Sequence, residues 1–285
     1  MRTMVPYITS GLVTGTIYAL AALGVAIVYK GSRVLNFAHG SIATAGVLVF
    51  SKLFDRIPVG LAVLVGVATG VILGVLSDLV VFRPLSRSRE ATKVMASVAL
   101  LALLQAIILP RFEGRFLHLF PTTVLRAGGF SIGIDQIMVI TLTVGLTLLL
   151  GLFFRANSWG IAIRAVADDA RSTALVGVAP SMVSAVAWGL GGGLAALSGI
   201  LLAPFVYQDP ILLTLIVIHA MAAVVIGVLE SLPVIFAGAI ALGLVESLGT
   251  RWITVPGYND VVPLVAILLT LVFLAQRKRT SWRPA

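Results

Sequence analysis

Residues 172–208 read STALVGVAPSMVSAVAWGLGGGLAALSGILLAPFVYQ, a stretch of 37 residues without a charged side chain. A helix needs about 20 consecutive, mostly apolar residues to cross the hydrocarbon core of a bilayer. The strands of a membrane β-barrel alternate apolar and polar residues, whereas this stretch is apolar at odd and even positions alike. It therefore predicts a transmembrane helix.

The rest of the chain has the same character. Of its 285 residues, 59% are hydrophobic and 11% are charged, and the mean hydropathy is +1.11. A soluble domain is about a quarter charged. We predict an all-α polytopic membrane protein with eight or nine transmembrane segments, forming a single transmembrane domain over residues 1–285. The candidate segments are residues 6–29, 40–54, 59–82, 94–110, 134–154, 179–203, 214–229, 232–249 and 261–275.

The second segment is short and follows Asn36-Phe37-Ala38-His39-Gly40, which predicts a broken or re-entrant helix after residue 36. Polar groups at such a break either satisfy the freed backbone or face a transported solute. The residues leave both readings open. His219, inside another apolar segment, either bonds a neighbouring helix or lines a pathway. The candidate translocation path comprises Asn36, Phe37, His39, Gly40 and His219.

Basic residues predict the orientation. The net charge of +9 is expected of a membrane protein whose cytoplasmic loops are rich in Lys and Arg, so it does not predict nucleic-acid binding. With the N-terminus outside, 13 of the 20 basic residues fall in cytoplasmic loops and 7 outside. This bias predicts an outer loop at 111–133, a cytoplasmic loop at 155–178 and a cytoplasmic basic tail at 276–285. Residues 7–29 are interpreted as the first membrane helix rather than a cleaved signal peptide.

No pattern for catalysis is present. The chain has no cysteine, its three histidines have no zinc-site spacing, and neither a P-loop nor a nucleophile elbow occurs. We therefore expect neither an enzyme nor a bound metal or cofactor, and any ATP would be hydrolysed by a separate polypeptide. The acidic residues lie in loops or near segment ends, which disfavours an ion-coupled carrier. A membrane-embedded enzyme is disfavoured further.

Between two of the spans, residues 159–175 form a predicted amphipathic helix. Ile163, Val166 and Ala170 lie on one face. The opposite face carries the charged residues Arg164, Asp168 and Arg171. Composition alone favours an ordinary interfacial helix with solvated charges.

Four stretches together resemble the LivH/LivM-type permeases of branched-chain amino acid ABC importers, and they occur in that family's order over nearly the whole chain. They are residues 18–29 with the N-F-A-H-G turn at 36–40, F-R-P-L at 82–85, R-A-V-A-D-D at 164–169, and A-A-L-S-G-I-L-L-A-P at 195–204.

The resemblance implies a permease subunit for branched-chain or related small amino acids in a bacterial-type inner membrane. Its implied partners are two cytoplasmic ATPase subunits, a second homologous or identical permease, an extracytoplasmic solute-binding protein and membrane lipid. The segment implied to couple to the ATPase is Arg164, Ala165, Val166, Ala167, Asp168 and Asp169. The alternatives are an ABC permease for urea or short amides and an ion-coupled secondary carrier of small amphipathic solutes.

One segment departs from the family pattern. Where these permeases usually read G-G-x-G-S-x-x-G, residues 227–234 read GVLESLPV. Val228, Glu230 and Val234 replace glycines, and bulkier residues there are expected to alter close backbone approach.

Overall fold

The computed structural model describes residues 4–114, 119–120, 123–127, 130–206, 209–229, 231–253, 255 and 257–281. The helices are α1 (Val5–Ser32), α2 (His39–Leu53), α3 (Val59–Leu76), α4 (Glu90–Ile108), α5 (Ile134–Ala156), α6 (Ser158–Leu175), α7 (Pro180–Leu202), α8 (Pro210–Thr214), α9 (Ile216–Ile226), α10 (Leu232–Gly249) and α11 (Tyr258–Ser281). A π-helical turn, Ser77–Phe82, extends α3, and a 3₁₀ turn, Leu109–Arg111, extends α4.

The predicted polytopic helical fold is confirmed. Each of the nine apolar segments corresponds to a helix, and α6 and the five-residue α8 are additional. Within the described ranges, seven helices are long and apolar enough to cross a membrane, and residues 210–226 form a shorter apolar pair. The predicted count of eight or nine segments roughly fits this bundle.

The bundle has two ends, which we call the α6 end and the hairpin end. At the α6 end, Arg33, Arg83, Lys93 and Val166 line one cavity, so three loops that are distant in sequence meet there. At the hairpin end, Lys52, Arg56 and Glu113 line a second cavity. The basic loops that the sequence assigned to opposite sides of the membrane are thus separated in space.

The hairpin end takes its name from a two-stranded antiparallel sheet in the loop before α5. β1 (Val124–Ala127) pairs with β2 (Phe130–Gly133), with Val124 opposite Gly133. The predicted outer loop thus holds ordered structure. Several residues used in the sequence arguments lie outside the described residues, namely Arg115, His118, Pro121, Gly128, Gly129, Glu230 and tail residues 282–285.

Two helices, α1 and α7, form the centre of the bundle. Helix α1 packs on α7, α9 and α10, and α7 packs in addition on α2 and α3. Close approach of α3 and α7 requires glycine: a Cβ on Gly70 would overlap the carbonyl of Gly192, and a Cβ on Gly74 would overlap that of Trp188. Small residues permit such backbone contact between membrane helices.

Helix α2 begins deep inside the bundle. Its first residue, His39, is fully buried, and a Cβ on Gly24 would lie 2.7 Å from its Cε1 atom. Gly24 is eight residues before the end of α1, so at 1.5 Å per residue α2 begins about 12 Å inside that end. Residues 33–38 therefore fold back along α1, in agreement with the predicted break after residue 36.

Candidate functional site

The break before α2 places four of the predicted path residues in the bundle interior. Asn36 is 1% exposed and His39 is fully buried, while Phe37 is half-buried. The Phe37 amide lies 3.4 Å from the Ser97 hydroxyl oxygen of α4. The Asn36 Oδ1 atom accepts no hydrogen bond within the described part of the chain. A buried amide oxygen without a partner is uncommon, because desolvation then goes uncompensated.

A second helix interruption lies directly against this break. Gly40, in the first turn of α2, packs on the carbonyl of Thr214, where α8 ends. The Thr44 and Thr214 hydroxyls are 3.0 Å apart. Gln105 of α4 donates through Nε2 to Thr214 Oγ1 at 2.6 Å and to the Pro210 carbonyl at 3.0 Å. Three helices thus contribute neutral polar groups to one location.

Sequence reasoning did not find Gln105 or Thr214. Asparagine, glutamine and threonine are unremarkable in a composition, and only the packing shows that residues 44, 105 and 214 meet. The signal that was available is Asp209-Pro210, a cap and a first-turn proline that start a new helix inside the segment. The Asp209 carboxylate indeed accepts from the Ile211 and Leu212 amides.

His219 belongs to a different polar cluster. Its ring stacks on the Tyr18 ring with 4.4 Å between centroids, and its Nε2 atom lies 3.4 Å from Glu246 Oε1. All three side chains are less than a tenth exposed, so α1, α9 and α10 meet at a buried acid. Glu246 is near the end of its segment, as predicted, yet it is buried in the bundle. An ion-coupled carrier was disfavoured because the acidic residues lie in loops or near segment ends. The burial of Glu246 weakens that argument.

Helix α6 has a kink that the sequence did not predict. Asp169 has φ −152° and ψ 104°, which interrupts the helix. Its carboxylate accepts from the amides of Arg171 and Ser172 and from the Ser172 hydroxyl, so it caps the second half of α6. These hydrogen bonds, that of the Ser172 hydroxyl above all, lower the pKa of Asp169. The cap is therefore fully formed at neutral pH and is lost as the pH falls through this lowered pKa.

The two faces of α6 have different surroundings. Ile163, Val166 and Ala167 are buried against the rest of the bundle, and Arg33 at the end of α1 donates to the Ala167 carbonyl. The predicted coupling residues Arg164, Asp168 and Asp169 are exposed, and Ala165 is half-buried. Ala170, predicted on the apolar face, is exposed as well. Only the charged part of the segment is available to a partner.

The departure from the family's glycine pattern has a visible consequence. Val228 has φ 54° and Leu229 has φ 62°, so both occupy the left-handed region in the turn between α9 and α10. A β-branched residue is strained there, whereas glycine is not. Gly227, which the chain retains, packs on Ile235 so closely that a Cβ would overlap its side chain.

No metal site is visible within the described residues, since no three His, Asp or Glu side chains lie close enough together to hold an ion. Cysteine is absent from the sequence. The polar groups buried at the α2 break are instead amides, hydroxyls and the His39 imidazole, which suit hydrogen bonding to a small neutral or zwitterionic solute.

Broken helices that meet in the interior of a helical bundle are typical of membrane transporters. Comparison with known proteins is more specific. Residues 7–271 match the family model described as the permease component of branched-chain amino acid transport systems, so the chain belongs to this family.

Individual relatives agree with this assignment. The high-affinity branched-chain amino acid transport system permease protein LivH of Escherichia coli K12 is 26% identical over 93% of this chain and 92% of its own length. BraD of Pseudomonas aeruginosa, with the same description, is 28% identical over the same shares. The solved structure titled PsaBC from Streptococcus pneumoniae in complex with Fab has a TM-score of 0.52 at 13% identity, covering 93% of this chain and 90% of that one, and supports the fold alone.

Proposed function

We propose that this chain forms half of the membrane pore of an ABC importer and passes branched-chain or related small amino acids, delivered by a solute-binding protein, to the cytoplasm. The family match over residues 7–271 carries the proposal. Two ATPase subunits supply the energy, and a second permease, homologous or identical, completes the pore. The α6 end faces the cytoplasm of a bacterial-type inner membrane.

The interior chemistry supports a path for a zwitterion. The α2 break offers the Asn36 side-chain oxygen Oδ1, the Gln105 amide and the hydroxyls of Thr44 and Thr214, all without formal charge. Neutral dipoles bind an ammonium and a carboxylate loosely enough to release both. Half-helix ends that meet inside a membrane are also where transporters hold their substrates.

The path can be tested at Gln105. Gln105→Leu removes both hydrogen bonds to the α8 end while nearly keeping side-chain size, and we expect uptake of leucine to fall at least tenfold with normal insertion. Gln276→Leu, in the distal part of α11, is the control and should retain uptake. Equal uptake by the two variants would remove the α2 break from the path.

The exposed half of α6 is proposed to dock into a cytoplasmic ATPase. Its outward residues Arg164, Asp168 and Asp169 are exposed, whereas Val166 is 7% exposed and packs inside the permease. A charge at position 166 would therefore disturb the permease's own packing. The coupling test belongs at the outward residues.

The coupling experiment reverses two outward charges. Arg164→Glu with Asp168→Arg keeps the net charge but inverts its pattern, and we expect the ATPase to fail to co-purify and uptake to fall more than tenfold, because mismatched charges at an interface oppose docking. Arg89→Glu at the same end is the control. Normal ATPase retention in the double variant would return α6 to an ordinary interfacial helix.

Substrate class and energy source need a second experiment. Proteoliposomes containing the complete complex should take up leucine only with ATP inside, and unlabelled isoleucine or valine should compete while urea and short amides should not. The chain alone under a proton or sodium gradient tests the carrier alternative, which the buried Glu246–His219 contact keeps worth testing. Gradient-driven uptake by the chain alone would replace the ABC assignment.

Orientation is tested separately. A reporter placed after Lys278 should be active in the cytoplasm, since 13 of the 20 basic residues lie on that side in the proposed topology. Activity only outside would invert the topology and move α6 away from any cytoplasmic ATPase.

A further inference from the structure

A cavity of about 290 Å³ opens at the α6 end, between helices that are far apart in sequence. Its walls come from the end of α1, the π-helical turn, the start of α4, the buried face of α6 and the first turns of α7. The residues that matter here are Arg33, Asp78, Arg83, Lys93, Ser181 and Ser184. A water molecule needs only about 30 Å³, so the space admits a polyatomic group.

The wall of this cavity is positively charged. Three cations, Arg33, Arg83 and Lys93, face one acid, Asp78. The acid is already engaged: its Oδ1 atom accepts from the Ser184 hydroxyl at 2.5 Å, and its Oδ2 atom lies 3.7 Å from Arg83. Two positive charges remain in excess over the acid.

Both arginines are held in place by contacts that leave their charge exposed to the cavity. Arg33 donates to the Ala167 carbonyl and lies over the Tyr29 ring, with 5.6 Å to the centroid. Arg83 donates to the Ser181 carbonyl at 3.1 Å, and its side chain is 45% exposed. Carbonyl partners fix a guanidinium without neutralising it. The arginines are thus oriented before any ligand arrives.

The start of α7 adds to the positive potential. Ala179 at its N-cap provides no side-chain acceptor, and the helix begins with Pro180 and Ser181 in the cavity wall. The N-terminal end of a helix carries partial positive charge and amides that suit an anion. The Ser181 hydroxyl is a further donor to an oxyanion, whereas the Ser184 hydroxyl already donates to Asp78.

We propose that this cavity binds a phosphate group, carried either by the headgroup of an anionic phospholipid or by a free phosphate. The cavity lies at the ends of three candidate membrane spans, α1, α3 and α7, and basic pockets between the ends of membrane helices suit anionic headgroups. The bound phosphate joins the buried face of α6 to α1, the π-helical turn and α4, and so fixes the position of α6. The site does not depend on which solute the permease transports.

Lipid binding to the intact purified protein is the direct test. Native mass spectrometry in detergent with added phosphatidylglycerol should show a retained lipid whose affinity falls at least tenfold in Arg83→Gln/Lys93→Gln. Arg87→Gln/Arg89→Gln removes the same charge from the same loop outside the cavity and should change affinity by less than twofold. Phosphatidylcholine, whose headgroup is zwitterionic, is the comparison lipid that shows how far binding depends on the negative charge of the headgroup.

A wild-type measurement covers the case in which the cavity variant folds poorly, since Arg83 also contacts Asp78. Phosphatidylglycerol should protect Lys93 from acetylation at least fivefold and should leave Lys52, at the hairpin end, unprotected. Repeating the assay with inorganic phosphate in place of lipid distinguishes the two sources, because protection at millimolar phosphate identifies a soluble ligand.

Several outcomes would overturn the proposal. Equal loss of binding in the cavity variant and in its control would mean diffuse attraction to a basic surface. Equal protection of Lys93 and Lys52 would mean the same. Absence of protection by both phosphatidylglycerol and phosphate would leave the cavity without a phosphate ligand.

Discussion

Helices α1 and α11 are alike in apolarity and opposite in burial. Both have a mean hydropathy of 2.0 over their most apolar stretch, yet 89% of that stretch is buried in α1 and 6% in α11. Helix α7 is 78% buried although it is less apolar than α5, of which 17% is buried. Hydropathy therefore decides that a helix enters the membrane but does not decide where in the bundle it lies.

Glycine contacts distinguish the central helices α1 and α7 from the outer helix α5. Gly31 of α1 abuts Ala187 of α7, and Gly192 of α7 abuts Gly70, so that a Cβ at these glycines would overlap a neighbour. Gly145 and Gly151 in α5 would have no heavy atom within 4 Å of an added Cβ. Lipid tails are as apolar as leucine, so apolarity alone does not bring membrane helices together. Close packing of small residues does, and it holds α1 and α7 at the centre of the bundle.

The largest effect is expected from a bulky residue in this central packing. Gly70→Leu forces the α3 and α7 backbones apart, which should cost about 3 kcal/mol, the upper end of the usual range for overpacking. The thermal midpoint should drop by roughly 10 °C. Gly145→Leu, in α5, is the matched control and should change it by roughly 1 °C. Equal midpoints in detergent would show that the glycine contacts do not organise the bundle.

A smaller loss is expected from the buried acid. Glu246→Ala removes the acid that contacts His219 in the Tyr18 cluster, and polar contacts between membrane helices contribute about 1–2 kcal/mol. Glu113→Ala, an exposed acid in the loop after α4, should cost less than about 0.5 kcal/mol. Denaturant unfolding of both variants compares them, and a cost at Glu113 equal to that at Glu246 would contradict the central role of the cluster.

A gain is expected where glycine is missing. Val228→Gly relieves a left-handed backbone conformation and should raise stability by about 1 kcal/mol. Val234→Gly replaces another of the departures from the family pattern, but inside α10, where glycine should cost about 0.5–1 kcal/mol. A rise of the thermal midpoint in Val228→Gly and a fall in Val234→Gly would confirm the distinction, and a fall in both variants would refute it.

The smallest effect is expected on the outer surface. Leu148 of α5 and Leu269 of α11 are each 65% exposed. Their truncation to alanine removes few contacts inside the protein, because most of each side chain faces lipid. Each change should alter the free energy of unfolding by less than about 0.5 kcal/mol in lipid nanodiscs. A loss above about 1 kcal/mol at one of them would mark that helix as covered by another protein.

The sequence predicted the membrane segments well because apolarity is a local property. The break at residues 36–40 was also predictable, since a short segment followed a stretch that contains Asn36, His39 and Gly40. The nine segments predicted neither the short α8 nor the kink at Asp169. Their signals, Asp209-Pro210 and a carboxylate three residues before Ser172, are common short patterns.

The polar sites were harder to predict because they depend on which helix faces meet. In the sequence, Glu246 is simply an acid near the end of an apolar run. Only the packing of α1 and α9 around it shows that it is buried beside His219. The cations of the cavity at the α6 end are separated by 50 and 10 residues along the chain, at positions 33, 83 and 93. Val166 was expected to face an ATPase because the family resemblance implied coupling through residues 164–169. Neither that resemblance nor the amphipathic pattern says which neighbour covers the apolar face.

The glycine contacts also restrict how the molecule moves. With the backbones of α3 and α7 touching at Gly70 and Gly74, sliding one helix past the other requires a jump of a whole turn, about 5.4 Å. Packed interfaces of this kind are discrete rather than continuously deformable, so we expect α3 and α7 to travel as one rigid body. Hinge motion then falls to the interrupted helices, at Leu215 between α8 and α9 and at Asp169 within α6.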